Sequence, residues 1–341
     1  MKEKSNLEIW GEEVAGENGF VIEEKIYQGE YYTADKIRNA VFSGVYQNKP
    51  AVLKIYDDPR LTDEPISLKS FNKQNKSKIL KAPELYNYQI VSLQKGWLIM
   101  EKLPEGKFFQ PPLNKSEKKE FLNVYLEYRQ NFPTIPFRKL ALIENLPANK
   151  FHLFRINRWL NLANNREAEE VILKNNLPIL IPKQFIPRFK KGCQIIDQEF
   201  SERKKIWCHG HFKPKEIFKV KDKNLYYLID FAHSKMLPEG YELSFMIWAD
   251  CLLGEDYRKE YSEWKKGIGE WLAEFKRVNN DFLKIDNFSS LIKASLIERI
   301  LGTILADVTA SDKSREEKEK RISLLYQLFD ELADLENYKE I

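Results

Sequence analysis

The sequence has few cysteines, little net charge and no long apolar run. Its three cysteines, Cys193, Cys208 and Cys251, form no C-x-x-C pair, which indicates reduced thiols in a cytoplasmic protein and argues against a disulfide scaffold. The first residues lack an apolar segment of signal-peptide length, so we expect no secretion signal. The apolar stretch YELSFMIWADCLLG carries Glu242 and Asp250 and is too short to cross a membrane. A net charge of +4 is too small to argue for nucleic acid as a partner.

The first hundred residues predict a β-rich lobe of about five strands with one helix inserted. QNKP and Gln94-Lys95-Gly96 are typical of hairpin turns between strands. The inserted helix is EPISLKSFNKQ, with Pro65 in its first turn. Residues 103–115 contain three prolines and indicate a linker.

After the linker, apolar residues recur mostly at helical spacing. Short strands interrupt this pattern between Lys205 and Asp230. A chain of 341 residues is also longer than one simple core usually supports. We therefore predict a bilobal α+β fold, with an N-lobe at residues 1–103 and a mostly helical C-lobe at residues 104–341 that contains a β patch at 205–234.

Lys54 lies within the apolar segment AVLKIY, which predicts a strand. An unpaired ammonium group is costly to bury, so Lys54 needs an acidic partner. Glu64, at the start of the following helix, is the best candidate, and Asp63 is the second. The alternative is that Lys54 points into solvent from an edge strand.

Three of the four histidines fall in two short segments, WCHGHFKPKEIF (207 to 218) and LYYLIDFAHS (225 to 234). A β lobe, a linker and a helical lobe suggest the kinase architecture, which needs a strand lysine, a catalytic loop with a base, a metal ligand five positions later, and an aspartate after the next strand. These segments contain His211, Glu216 and Asp230 at the corresponding places.

HGHFKPKEIF resembles the H-G-D-x-x-P-x-N-I-L loop of the aminoglycoside phosphotransferase and choline-kinase-like group. IDFAHS is similar to that group's I-D-F/W strand, and YELSFMIWADCLLG to its Y-D-L-A helix. Together with AVLKIY, EPISL and LIMEKLP, the resemblance covers about residues 20 to 255. It implies a protein-kinase-like fold that binds ATP and Mg²⁺, with Lys54 and Glu64 at the phosphates, the backbone from Glu101 to Leu103 at the adenine, and Asp230 at the metal.

The sequence departs from this group at two positions of the loop. His211 stands where the group has its catalytic aspartate, and Glu216 stands where it has a metal-binding asparagine. The two changes conserve charge, because a neutral histidine with a glutamate carries the same charge as an aspartate with an asparagine. A carboxylate is also a good Mg²⁺ ligand. The segment YQGEYYTADK (27 to 36) offers only Gly29 as a phosphate loop.

Three functions follow from these residues. The preferred one is ATP- and Mg²⁺-dependent transfer of phosphate to a hydroxyl of a small-molecule acceptor, with His211 as base and Glu216 and Asp230 as metal ligands. The alternative is a catalytically silent pseudokinase that serves as a nucleotide sensor or scaffold. A third is a Zn²⁺ hydrolase that uses His209, His211, Asp230 and His233; in the kinase-like group, His209 is instead structural.

The acceptor is predicted to be a small molecule. The segment after Asp230 shows no activation-segment and A-P-E pattern of a protein kinase. The basic segments RFKKG and RKK favour an anionic acceptor over a cationic aminoglycoside, although surface solvation is the default interpretation of such clusters.

Overall fold

The structure is a computed structural model that describes residues 4–31, 34–131, 146–174, 176–253, 260–310 and 312–333. Its first third contains the elements α1 (Asn6–Asn18), β1 (Phe20–Tyr31), β2 (Ala34–Tyr46), β3 (Lys49–Asp57), α2 (Glu64–Gln74), β4 (Leu80–Lys81), β5 (Leu85–Ile90) and β6 (Lys95–Glu101). Five of these strands form an antiparallel sheet in the order β1-β2-β3-β6-β5.

The hairpin between β2 and β3 shows why the sheet forms where the sequence predicts it. Gln47 and Asn48 have φ values of 51° and 62°, the left-handed conformation of a two-residue turn whose twist matches that of the flanking strands. Asn tolerates this conformation well. Strand β3 is buried along most of its length, which accounts for its apolar sequence. Both predicted hairpins and the inserted helix are confirmed, but the second turn lies at residues 91–94, since Lys95 and Gly96 belong to β6.

Helix α1 is an element that the sequence analysis missed. Ser5 and Glu8 form a capping box at its start. Its buried face carries Leu7, Gly11 and Val14 and packs on the sheet. A Cβ at Gly11 would overlap with the ring of Phe42, so glycine allows the helix to approach the sheet closely. The sequence of α1 has little apolar periodicity because small residues make the contact between this helix and the sheet.

The rest of the chain is mostly helical. Its helices are α3 (Lys115–Asn131), α4 (Ala148–Lys174), α5 (Pro182–Phe200), α6 (Leu243–Ile247), α7 (Tyr261–Val278), α8 (Phe288–Thr309) and α9 (Arg315–Ala333). Helix α8 is buried on nearly all sides and packs against α4, α5 and α9. Helix α5, which contains RFKKG, was not predicted individually, and Ser314 and Glu317 form a capping box at the start of α9.

A β patch lies within the helical part and carries the loops of interest. Its strands are β7 (Gly106–Phe108), β8 (Lys205–Cys208), β9 (Ile217–Val220), β10 (Tyr226–Leu228) and β11 (Lys235–Pro238). Strands β4, β10, β9 and β7 form one sheet, and β8 pairs with β11. The predicted linker therefore contains a strand. The boundary near residue 103 stays a prediction, as it falls between β6 and β7.

The predicted bilobal α+β fold class is confirmed, and one apolar core joins its two parts. Leu68 and Phe71 of α2 belong to the same core as Leu228 and Phe231, which flank the turn after β10. In the described part of the chain, every helix is too short or too polar to span a membrane.

Candidate active site

Lys54 on strand β3 is the centre of a buried group of charges. Its Nζ lies 2.6 Å from Oε2 of Glu64 and 3.7 Å from Oδ1 of Asp230. Lys54 is 7% exposed and Glu64 is 2% exposed, so the expected pairing is observed and the solvent-facing alternative is wrong. Burial by itself would lower the pKa of Lys54, but the charges of Glu64 and Asp230 outweigh it and raise that pKa above its ordinary value.

Asp230 reaches Lys54 because of the turn that follows strand β10. Its backbone is left-handed, with φ 60° and ψ 59°, a region that Asp enters more readily than most non-glycine residues. The next residue, Phe231, packs against Phe71 of helix α2 with ring centroids 5.1 Å apart. Burial would raise the pKa of Asp230, but the facing lysines outweigh it and lower that pKa. Asp230 is therefore a carboxylate at neutral pH.

The loop between β8 and β9 is fixed by its backbone and by the ring of His209. His209 is fully buried, and its Nε2 donates to the carbonyl oxygen of Ile229 at 2.9 Å. Gly210 has φ +83°, and a Cβ there would overlap with the carbonyl oxygen of His233. The Gly210 N–H donates to Oε1 of Glu242 at 2.8 Å. This loop and the loop after β10 are therefore in direct backbone contact.

His211 and Glu216, the two departures from the family pattern, lie close together. Nδ1 of His211 is 3.8 Å from Oε1 of Glu216, and Nζ of Lys213 is 2.9 Å from the same oxygen. Glu216 is 4% exposed, and its Oε2 has no hydrogen-bond partner among the described residues. Burial and the charge of Asp230 raise the pKa of Glu216 well above its ordinary value. Burial and the nearby cations, Lys213 first, hold the pKa of His211 well below its ordinary value, so His211 is neutral at pH 7.

His233 forms a group of possible metal ligands with His211 and Asp230. Its ring stacks on that of His211, with centroids 3.7 Å apart and planes inclined by 29°. Its Nε2 lies 3.9 Å from Oδ2 of Asp230. The ligand atoms of His211, Asp230 and His233 lie within 4.8 Å of one another. His209 does not belong to this set, because β8 ends at Cys208 and the alternation of a strand does not extend to His209 and His211. The hypothesis of a Zn²⁺ site with four ligands is therefore wrong in including His209.

The predicted adenine segment follows strand β6. Oε1 of Glu101 accepts a hydrogen bond from the Tyr227 hydroxyl at 3.1 Å, and Leu103 packs against Phe218 and Tyr227. A small apolar cluster thus lies next to the backbone from Glu101 to Leu103. The contact with adenine stays a prediction.

The predicted phosphate loop lies partly outside the described residues. Residues 32–33 and the side chains of residues 30–36 are not described. Gly29 lies in β1 opposite Asn39, where a Cβ would overlap with the Asn39 side chain. The close approach of a neighbouring side chain therefore explains this glycine.

Lys213 is a site residue that the sequence analysis did not single out. It precedes the short 3₁₀ turn Pro214–Glu216, which brings residues three apart onto one side. That spacing, K-x-x-E after His211, was the available signal for its contact with Glu216. Lys213 therefore adds a positive charge beside the predicted metal ligand.

Comparisons with known proteins match the fold of this chain, but neither a family model nor a curated protein matches its sequence. A thermostable mutant of aminoglycoside phosphotransferase APH(4)-Ia, in a ternary complex with ADP and hygromycin B, is similar with a TM-score of 0.56 and 11% identity over 95% of this chain and 97% of its own.

Two other solved structures are similar to this chain to the same degree as APH(4)-Ia is. Spectinomycin phosphotransferase APH(9)-Ia, in complex with ADP and spectinomycin, has a TM-score of 0.57 and 12% identity over 97% of this chain and 99% of its own. Plasmodium vivax ethanolamine kinase has a TM-score of 0.56 and 12% identity over 97% and 98%. The resemblance seen in the sequence is thus confirmed at the level of the fold: the chain has the protein-kinase-like fold of the aminoglycoside phosphotransferases and ethanolamine kinase.

Proposed function

We propose that this protein transfers the γ-phosphoryl group of ATP to a hydroxyl of a small-molecule acceptor. The observation that carries the proposal is the buried contact of Lys54 with both Glu64 and Asp230, at 2.6 Å and 3.7 Å. Kinases use this arrangement to hold the phosphates and the metal ion. The solved neighbours in complex with ADP and with hygromycin B or spectinomycin support the same kind of reaction.

The two carboxylates opposite Lys54 fit a divalent cation. Asp230 is ionised, and among the described residues the buried Oε2 of Glu216 lacks a hydrogen-bond donor. Both are hard oxygen ligands of the kind that Mg²⁺ prefers. A bound Mg²⁺ would neutralise charge on the transferred phosphate. Lys54 would hold the phosphates, and the backbone from Glu101 to Leu103 would hold the adenine.

His211 would orient the acceptor hydroxyl and take its proton. In the proposed reaction the acceptor oxygen forms a bond to the γ-phosphorus, the bond to ADP breaks, and the hydroxyl proton passes to the His211 imidazole. The lowered pKa keeps this ring neutral and able to accept a proton, although it also makes the ring a weak base. A loose transition state requires little more than orientation from the base.

The acceptor is proposed to be anionic. The cations Lys213, Lys235 and Arg299 all act electrostatically on His211. Arg299 also lies over the rings of Phe245 and Trp248, which flank His211. A phosphate or carboxylate group on the acceptor would be attracted to these charges, whereas an aminoglycoside would be repelled.

A nucleotide-binding pseudokinase is the second candidate function. The contact between Lys213 and Glu216 favours it, because a lysine 2.9 Å from a carboxylate oxygen competes with a metal ion for that oxygen. Such a protein would bind the nucleotide as a sensor or scaffold and leave ATP intact.

Calorimetric titration with ATP, with and without Mg²⁺, tests the nucleotide site. Wild-type protein is expected to bind ATP more tightly with Mg²⁺, and Glu216→Gln to lose that dependence. Lys54→Met is expected to weaken binding by at least about tenfold, the effect of losing one charge-assisted contact. Lys49→Met, at an exposed position of the same strand, is the matched control. Unchanged binding by Lys54→Met would contradict the proposal.

Turnover separates the enzyme from the pseudokinase. ATP consumption is measured with two sets of hydroxyl acceptors, sugar phosphates and hydroxy acids in one and amino alcohols in the other. Phosphorylation of members of the anionic set is the expected result. Tight Mg²⁺-dependent binding without turnover on either set would favour the pseudokinase.

A further inference from the structure

His233 places an imidazole nitrogen 3.9 Å from Asp230, a carboxylate that the proposed function assigns to a divalent cation. We infer that His233 is a ligand of that cation together with Asp230, and that the site takes a first-row transition ion, from Mn²⁺ to Zn²⁺, in preference to Mg²⁺. This inference rests on the proposed nucleotide site and adds to it a ligand residue and a class of metal.

The distance between His233 and Asp230 is that of two ligands on one ion. Two donor atoms that each lie about 2.0–2.2 Å from a cation are at most about 4.4 Å apart. Nε2 of His233 and Oδ2 of Asp230 are 3.9 Å apart, so both can bind the same ion without a rearrangement of the backbone. The short 3₁₀ turn Phe231–His233 produces this contact, since residues three apart lie on one side of such a turn.

The ring of His233 is held in place by its neighbours. Its side chain is 17% exposed, and the stacking on His211 restricts its rotation. The backbone of the same residue is packed against Gly210. A ligand that is already oriented loses little conformational entropy when it binds a metal ion, so this position suits a ligand better than a mobile surface histidine would.

His211 has a different environment. Its Nδ1 lies next to Glu216 and its ring packs against Phe245, on the side where the acceptor is proposed to bind. Its ligand atom also lies within 4.8 Å of those of Asp230 and His233, but its ring is the one that faces Glu216 and Phe245. We therefore assign the metal contact to His233 and keep the proton-accepting role for His211.

A nitrogen ligand changes which ion the site prefers. Mg²⁺ binds through oxygen and retains water, whereas imidazole favours the transition ions, with affinity that rises from Mn²⁺ through Co²⁺. Asp230 and His233 give one carboxylate oxygen and one nitrogen. An octahedral ion held by these two ligands would keep open positions for phosphate oxygens, water and further protein oxygens.

Electron spin-echo spectroscopy of bound Mn²⁺ tests the contact directly. The full-length protein is loaded with Mn²⁺ and a non-hydrolysable ATP analogue, and modulation from a directly bound imidazole nitrogen is recorded. The signal is expected in the wild type and is expected to disappear in His233→Phe, which keeps a ring to stack on His211 but has no nitrogen ligand. Absence of the signal in the wild type, or its persistence in His233→Phe, would overturn the inference.

Metal affinities give a second readout. His233→Phe is expected to weaken Mn²⁺ and Co²⁺ binding by about tenfold or more, and Mg²⁺ binding by much less. His233→Asp restores an oxygen ligand, and is expected to shift the ratio of affinities back towards Mg²⁺. Equal loss of all three ions in His233→Phe would indicate a purely structural role and would also overturn the inference.

The two proposals fail in different ways. If ATP binds with Mg²⁺ and the nitrogen signal is absent, the nucleotide site stands and the assignment of His233 is wrong. If the nitrogen signal appears with Mn²⁺ alone and ATP does not bind with any ion, the metal ligand stands and the phosphotransferase is wrong. Circular dichroism of each variant confirms that the fold is retained in both cases.

Discussion

In the described part of the chain, two histidine–glutamate pairs differ in how completely the glutamate is hydrogen-bonded. In the first, Nδ1 of His152 lies 3.0 Å from Oε1 of Glu298, and Oε2 of Glu298 accepts from the Tyr241 hydroxyl and from Arg299. In the second pair, His211 and Glu216 are 3.8 Å apart. Only Oε1 of that glutamate has a close donor among the described residues.

The pKa values of the two glutamates move in opposite directions. Burial would raise both, but at Glu298 the charges of Arg155, His152 and Arg299 outweigh it and lower the pKa. At Glu216, burial prevails and the pKa is raised. A buried carboxylate surrounded by donors stabilises the fold, whereas one with an unbonded oxygen is available to a ligand. The difference separates the structural pair from the candidate site.

The largest expected effect is on the structural pair. Glu298→Gln removes the charge that faces Arg155 and Arg299, and leaves the buried Arg299 and the partly buried Arg155 without their counter-ion. Breaking a buried pair in this way costs about 3–5 kcal/mol. Urea unfolding followed by circular dichroism measures the loss. A decrease below about 1 kcal/mol would show that the two pairs do not differ as described.

The second prediction concerns pH and a further buried carboxyl, Glu242. Burial raises its pKa from 4.5 to about 7. Since the folded state binds this proton more tightly than the unfolded state, Glu242 lowers stability as the pH rises from about 4.5 to 7, and the loss persists above 7. At about 1.4 kcal/mol per pKa unit, the loss is at most about 3 kcal/mol. The lowered pKa of Glu298 has the opposite effect, because its stabilisation is lost as the pH falls below 4.5.

Unfolding curves between pH 5 and pH 8 test this difference. Glu242→Gln keeps an oxygen to accept the Gly210 N–H and has no proton to lose, so it is expected to be more stable than the wild type at pH 8. The two proteins are expected to converge towards pH 5. A variant that is less stable than the wild type at every pH would contradict the assignment.

The smallest expected effect on stability is at the candidate site. Glu216→Gln is expected to change the free energy of unfolding by less than about 1 kcal/mol, because Oε2 of Glu216 has no hydrogen-bond donor among the described residues and the pair with Lys213 is partly exposed. Lys213, the partner that it loses, has a side chain 21% exposed and can be solvated. The measurement is the same urea titration as for Glu298→Gln. Similar losses in the two variants would remove the distinction between the pairs.

The sequence predicted the elements and contacts that have local causes. The cost of burying Lys54 pointed to Glu64, and the turn residues at 47–48 located a hairpin. The helical spacing of apolar residues after the linker was also correct, and in α9 it places the buried residues Ile322, Leu325 and Phe329 on the core. Each of these signals depends on residues that are close in sequence or on a single buried charge.

The missed features depend on packing between distant segments. Helix α1 buries small residues and has little apolar periodicity. Helix α5 contains Pro187 within its length and a run of basic residues, which obscured its pattern. The stacking of His211 on His233 follows from the contact of two loops, and no spacing in the sequence encodes a ring-to-ring distance. The histidines were found from their clustering, but their separate roles required the structure.

The contact at Gly210 has a consequence for how the site can be altered. Because the two loops meet through main-chain atoms, their separation is set by the backbone and not by the side chains at positions 211, 216, 230 and 233. These four side chains can be exchanged while the platform beneath them keeps its dimensions. A histidine and a glutamate can therefore stand where related folds use other residues, and a redesign of the metal preference or the base can begin from substitutions at these positions without rebuilding either loop.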